Sequence, residues 1–194
     1  MKTELLIVDG FYTDVDAVRE FALQQDFSVK GNYPGNRTVS FLNNSIKETI
    51  ERIVSPHAGK VTYWAEDRYT GAYQYTTSRE RSWIHSDQTT NWAGVCYLTP
   101  NAPLNSGTAL YRHKETGLER AALLPDGSYD KETMDRVYKD SRDMSKWDMV
   151  DMISNKFNRL VLYRGDIFHS SMEYFGKDKY TGRLFQTFFF NTEY

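Results

Sequence analysis

The residues that could do chemistry in this chain begin with His85-Ser86-Asp87. On an extended strand, residues i and i+2 point to the same face, roughly 6–7 Å apart. An imidazole and a carboxylate at that spacing can converge on one ion. The spacing alone is weak. With 4 His and 26 acidic residues in 194 positions, about half an H-x-[DE] match arises by chance. His169, in Arg164-Gly165-Asp166-Ile167-Phe168-His169-Ser170, supplies context. Two imidazoles and one carboxylate cover one face of an octahedral ion and leave three positions open, the ligand set of non-haem Fe(II) oxygenases. Zinc with two His and a carboxylate is the chemical alternative. Without a metal, His169 reads as a strand-end histidine bonded to backbone.

Arg183 opens Arg183-Leu184-Phe185-Gln186-Thr187-Phe188-Phe189-Phe190, a strand by composition. Alternation puts Arg183, Phe185, Thr187 and Phe189 on one face. If that face is the inner one, the guanidinium is buried among aromatics and requires an anion. Its fork suits a carboxylate. 2-Oxoglutarate fits both requirements: its keto-acid end chelates iron, leaving one position for O2, and its distal carboxylate needs a cation. A zinc hydrolase has no evident use for this Arg. An exposed Arg at a strand start is the structural alternative.

These side chains need a scaffold. Leu5 to Val8, ending at Asp9-Gly10, reads as a strand and turn. Thr13 or Asp14 caps a helix with Val15, Val18, Phe21 and Ala22 at helical spacing. A second helix starts near Ser45, where Ser45 and Glu48 have capping-box spacing, and Pro56 stops it. Beyond Gly59 the segments 61–64, 69–76, 82–85, 91–98, 108–112, 159–164, 166–170 and 183–190 are short and aromatic or β-branched. Many such strands indicate a sandwich or barrel. Residues 126–153 break the series. Met134, Val137, Tyr138, Trp147, Val150 and Ile153 recur near helical spacing and predict a helical insertion, either a lid or a surface excursion. The Lys and Arg residues of the wider 113–155 region, which is expected to lie partly over the metal site, are candidates to receive an acidic substrate.

Composition narrows the class. The length fits one domain, residues 1–194, with N-terminal helices over about 13–55. Lys+Arg of 24 against Asp+Glu of 26 argues against a nucleic-acid partner held by bulk charge. An aromatic content of 15% excludes a disordered chain. The single Cys96 allows no internal disulfide, so a reducing, cytoplasmic setting is expected, and four apolar residues near the N-terminus fall short of a membrane span. Cys96 reads as core. His57 is given no role, and His113 is not expected to ligate metal.

The order His85-x-Asp87, His169, Arg183 resembles the Fe(II)/2-oxoglutarate-dependent dioxygenases with a double-stranded β-helix, nearest their prolyl-hydroxylase-like group. Gly107-Thr108-Ala109-Leu110-Tyr111-Arg112-His113-Lys114-Glu115-Thr116-Gly117 is similar to a stretch of a largely uncharacterised bacterial and viral family, as are Tyr33-Pro34-Gly35-Asn36-Arg37 and Gly182-Arg183-Leu184. The likeness runs from about residue 5 to 192. It implies a mainly β fold with flanking helices around a jelly-roll core. It implies His85, Asp87 and His169 as iron ligands, and Arg183 as the residue for 2-oxoglutarate, although 14 residues after His169 is a longer spacing than in many members. Tyr75, ten residues before His85, and Tyr97 stand where such enzymes have tyrosines touching 2-oxoglutarate; core aromatics are the alternative. Related halogenases lack the carboxylate that Asp87 supplies, so hydroxylation is expected. Fe(II), 2-oxoglutarate and O2 would then serve to oxidise a small-molecule or peptidyl substrate. A non-catalytic β-helix ligand-binding module is the rival reading. Oligomeric state is not legible.

Overall fold

The computed structural model describes residues 2–193. Ten strands and three helices follow one another as β1 (Leu5–Asp9), α1 (Val15–Gln24), β2 (Asn36–Ser40), α2 (Asn44–Ala58), β3 (Lys60–Trp64), β4 (Ala72–Thr76), β5 (Trp92–Tyr97), β6 (Thr108–His113), α3 (Lys131–Lys139), β7 (Trp147–Ile153), β8 (Arg159–Arg164), β9 (His169–Ser171) and β10 (Arg183–Glu193). Every strand pair is antiparallel. A large sheet runs β1-β8-β5-β10-β4-β2, with β3 on the far end of β10. A small sheet runs β7-β6-β9.

Period-two alternation sorts the large sheet's side chains into two cores. Trp92, Cys96, Leu160, Leu162, Leu184, Phe188 and Phe190 face α1 and α2. Their neighbours Ala93, Val95, Tyr97, Val161, Tyr163 and Phe185 face the small sheet, where they meet Leu110 and Ile153. The far side of the small sheet packs Ala109, Tyr111 and Trp147 against Met134 and Val137 of α3. The result is two antiparallel sheets, one against the other, with helices outside: the double-stranded β-helix core with flanking helices that the resemblance implies. Strands β5 and β8 read as near-continuous apolar runs because both their faces are covered.

Both N-terminal helices form close to expectation. Asp14 caps α1 by accepting the Ala17 N–H at 3.0 Å. In α2 the cap is Asn43, accepting from Ile46 at 3.0 Å, rather than Ser45. Pro56 lies inside α2 and does not stop it. The chain stays helical to Ala58, which is buried in the same stripe as Ile46, Ile50 and Val54, and ends at Gly59 with φ +83°. That left-handed conformation is cheap only for glycine.

Two further expectations fail. Of 82–85, only His85 bridges to a neighbouring strand. The helix of the 126–153 region ends at Lys139, and Trp147–Ile153 is strand β7. The misleading spacing has a cause. The pairing of β7 with β6 shifts between Leu110 and Tyr111, where Met149 and Asp151 are partnered and Val150 is passed over. Such an extra residue reverses the face along a strand. Trp147 is therefore buried on the α3 side and Ile153 between the sheets, and the apolar positions mimic a helical period.

Candidate metal and cosubstrate site

His85 and His169 stand side by side because their backbones pair. The His85 N–H donates to the His169 carbonyl at 3.0 Å, and the His169 N–H donates back at 2.8 Å. Their rings lie 4.5 Å apart. Asp87 is held two residues on, where its N–H donates to Gly165 O at 2.7 Å. Gly165 makes that approach possible: a Cβ there would lie 2.5 Å from Thr90 O and 3.3 Å from Asp87 Cβ. The ligating atoms of His85, Asp87 and His169 all fall within 4.8 Å of one another.

The two imidazoles are oriented alike. His85 Nδ1 meets Trp83 O at 3.0 Å, and His169 Nδ1 meets Ile167 O at 2.8 Å. A carbonyl only accepts, so each Nδ1 carries the proton and each Nε2 offers its lone pair inward. His85 Nε2 is 4.0 Å from Asp87 Oδ1, and His169 Nε2 is 3.6 Å from Asp87 Oδ2. Burial lowers both imidazole pKa values, and for His169 the neighbouring His85 adds to this, so the rings stay neutral. Burial pushes the Asp87 carboxyl up to about 7, with the charge of Asp67 acting in the same direction. Asp87 Oδ2 is buried without a hydrogen-bond partner. Two neutral nitrogen donors and an under-satisfied carboxylate fit a divalent cation.

The second half of the site is built on Arg183. Its residue is 1% exposed. Nε donates to Ser106 O at 2.9 Å and Nη2 to Gly107 O at 3.4 Å. The guanidinium lies 4.4 Å from the Phe185 ring centroid and 5.2 Å from that of Tyr97. Nη1 is buried with no partner, and among the described residues no carboxylate pairs with this charge. A buried cation without an anion is costly, and the site fits an anionic ligand that supplies one.

A cavity of about 510 Å³ joins the two halves, lined by His85, Asp87, His169 and Arg183 together. Phe185, Thr187 and Phe189 line it as well, so the face of β10 read from alternation is the inner one. The tyrosines fall differently. Tyr97 lies beneath the guanidinium, fully buried, with its hydroxyl 2.8 Å from Thr108 Oγ1. Tyr75 is a correction. It pairs in register with Leu184, not Arg183. It therefore shares Leu184's face and packs on Phe27 at 5.0 Å in the helix-side core, while its neighbour Gln74 lines the cavity.

Four other tyrosines, Tyr33, Tyr69, Tyr138 and Tyr163, line the cavity wall, two of them beside the histidines. Tyr163 packs against the His169 ring at 4.6 Å. Tyr33 reaches in from the loop before β2, where its hydroxyl accepts from Ser82 at 2.8 Å and donates to Ser171 at 3.0 Å. Arg37 holds that loop by donating to Tyr33 O at 2.8 Å. The alternation of β8 could have flagged Tyr163, but nothing local marked Tyr33. Cys96 is buried core. His113, 0% exposed, bonds Thr116 at 3.0 Å and Asp140 at 3.2 Å, away from the triad.

Known proteins place this geometry in context. Residues 1–190 match the model of a family described as "Family of unknown function (DUF6445)". No curated protein matches the sequence. Among solved structures, HygX from Streptomyces hygroscopicus with nickel and 2-oxoglutarate bound superposes at a TM-score of 0.62 and 12% identity, over 100% of this chain and 84% of that one. HygX with nickel, 2-oxoglutarate and hygromycin B bound gives 0.62 and 11% over the same shares. A prolyl hydroxylase from Trichoplax adhaerens, in complex with a hypoxia inducible factor oxygen degradation domain peptide fragment, gives 0.54 and 13%, over 96% of this chain and 83% of that one. At such low identity these likenesses establish the fold.

Proposed function

The chain belongs to the DUF6445 family, whose description assigns no function, and we propose that it is an Fe(II)- and 2-oxoglutarate-dependent oxygenase, a hydroxylase of a small molecule or peptidyl group. One observation carries the reading. A buried arginine with a free Nη1 opens into the same cavity as two inward Nε2 atoms and an unpartnered carboxylate oxygen. A metal site alone explains the triad, and an anion site alone explains Arg183. A chelating diacid explains why they share a cavity. The fold neighbours with nickel and 2-oxoglutarate bound, and the prolyl hydroxylase, support this reading.

His85, Asp87 and His169 would hold the iron on one face and leave three positions open. Arg183 would receive the distal carboxylate of 2-oxoglutarate through Nη1, held in place by the Ser106 and Gly107 carbonyls and the Tyr97 ring. Bound iron and 2-oxoglutarate supply an oxidation in which O2 gives one oxygen atom to a substrate C–H bond and one to the succinate formed as CO2 leaves. The protein's share is positioning and exclusion of water. Tyr33, bridging Ser82 and Ser171, closes the cavity beside His85, its ring 5.5 Å from the imidazole.

The test is anaerobic titration with Fe(II) and 2-oxoglutarate, followed by succinate assay under O2. A metal-to-ligand absorption band that needs His169, with succinate above a metal-free blank, is the expected result. A band without succinate over broad substrate panels would favour the non-catalytic binding module. Neither signal would remove the reading, and zinc in protein purified without added metal would favour a hydrolase.

A further inference from the structure

Resting on the oxygenase reading, the charges of the loaded cavity can be balanced group by group. Arg183 is matched by the distal carboxylate of 2-oxoglutarate. The two charges of Fe(II) are matched by Asp87 and the keto-acid carboxylate. One charged cavity residue is left over, Asp67, an exposed carboxylate between β3 and β4. Its Oδ1 accepts the N–H groups of Tyr69 at 2.8 Å and Thr70 at 2.7 Å. No ion pair takes up its charge among the described residues.

The nearby guanidinium groups are oriented by neutral groups, and none of them pairs with Asp67 among the described residues. Arg68 donates to Lys30 O at 2.9 Å. Arg37 is buried, donating to Gln74 and to Tyr33 O, with its guanidinium 4.8 Å from the Tyr69 ring centroid. The basic residues of the 113–155 region, expected to meet an acidic substrate, do not line the cavity; only Tyr138 of that region does. Lys131 pairs with Asp135, Arg136 with Glu115, and Lys114 with Asp148. The cavity that Asp67 lines also carries aromatic and amide side chains: Tyr33, Tyr69, Trp83 and Phe189, with Asn32 and Gln88. Aromatic faces attract cations. The protein's own side chains show it, with Arg37 over Tyr69 and Arg142 over Trp83 at 5.4 Å.

We propose that the substrate of this cavity carries a cation, a primary ammonium or a guanidinium, which the Asp67 carboxylate receives against the aromatic wall while an uncharged carbon of the same molecule is presented to the His85–Asp87–His169 side. The structural role of Asp67, accepting the two turn N–H groups through Oδ1, does not need a charge, since an asparagine carbonyl accepts equally well.

The experiment uses Nα-acetyl-lysinamide and its Nε-acetylated form, which differ in the charge at Nε, with agmatine as a second cationic probe. Binding to the protein loaded with Fe(II) and 2-oxoglutarate under anaerobic conditions is followed by calorimetry and by tryptophan fluorescence, with Trp83→Phe identifying the reporter. The cationic probes are expected to bind at least about tenfold more tightly than the acetylated one, and Asp67→Asn, which keeps the turn, is expected to abolish the difference. Equal binding of charged and neutral probes, a preference that survives in Asp67→Asn, or no binding of any probe at millimolar concentration overturns the proposal. The metal–2-oxoglutarate absorption of the same samples reports separately on the oxygenase reading. A charge preference that depends on Asp67 without that absorption would leave a cation-binding cavity and remove the enzyme.

Discussion

The imidazoles of His85 and His169 are neighbours because each residue's N–H donates to the other's carbonyl, at 3.0 and 2.8 Å. A reciprocal pair of this kind fixes two side chains on one face. The convergence of the two side chains proposed to hold the metal is therefore written into backbone pairing between residues 84 apart in sequence. His169→Ala should keep this pairing and the fold while removing a ligand. Fe(II) affinity should fall by more than the roughly 10–100-fold that loss of a mere orienting partner costs. Stability of the metal-free protein should change by no more than about 2 kcal/mol. Metal titration and urea unfolding of the same variant separate the two effects.

Arg183 makes the parallel prediction for the cosubstrate. Its charge is buried against two carbonyls and two rings and meets no anion within the described residues. Arg183→Met replaces that buried charge with an apolar side chain, which is often neutral or stabilising, against the cost of leaving two carbonyls without their donor. The cosubstrate-free protein should stay within about 2 kcal/mol of the parent. Affinity for 2-oxoglutarate should fall at least about 30-fold, the lower end for breaking a buried hydrogen-bonded charge pair. Ligand at 100 times its Kd stabilises by about 2.7 kcal/mol. Thermal unfolding should show that gain in the parent and no more than about 0.9 kcal/mol of it in the variant at the same ligand concentration.

The region 126–150 cannot be removed as a lid. Its first part, α3, packs Met134 and Val137 into the core beside Trp147 and Phe168. Its last part, from Trp147, pairs with His113 and its neighbours on β6. That strand begins at Thr108, on the cavity wall. Deleting 126–150 should therefore abolish folding, and Met134→Ala alone should cost about 2–5 kcal/mol. Tyr138→Phe is the gentler probe. It removes the 2.8 Å bond to Ser86 at the cavity wall. Binding of Fe(II) and 2-oxoglutarate should persist while coupling to substrate changes, as the ratio of succinate formed to product formed will report.

What the sequence disclosed and what it withheld have physical reasons. Strand β10 was readable to the side chain, because its alternation is unbroken from Arg183 to Phe189. The triad was readable because His85 and Asp87 are local and His169 is one of only four histidines. Tyr75 was misplaced because alternation fixes which residues share a face but not which face turns inward; only the register of β4 against β10 decides that. Strand β7 was misread because the residue passed over at Val150 reverses its face partway. Tyr33 lies in a loop, and its reach to Ser82 and Ser171 spans contacts of 49 and 138 residues, which no local pattern encodes.

Away from the cavity, Asp9 ties the end of β1 to the start of β8. Its carboxylate accepts from Arg159 Nε at 2.7 Å and Nη2 at 3.1 Å, and from Lys156 Nζ at 2.7 Å. Hydrogen bonds from Arg159, then from Lys156, hold the carboxyl well below its ordinary range. A folded-state pKa below the unfolded one means stability that is fully present above the unfolded value, about 4, and lost as acid protonates the folded carboxyl. The Asp9 side chain is 43% exposed, so solvent screens the network and its worth at neutral pH stays under about 1 kcal/mol. Asp9→Asn should lower the urea midpoint slightly at pH 7, and the gap between variant and parent should narrow steadily below pH about 4. A gap that stays constant or widens in acid would mean that Asp9 contributes through packing at the β1–β8 edge and not through its charge.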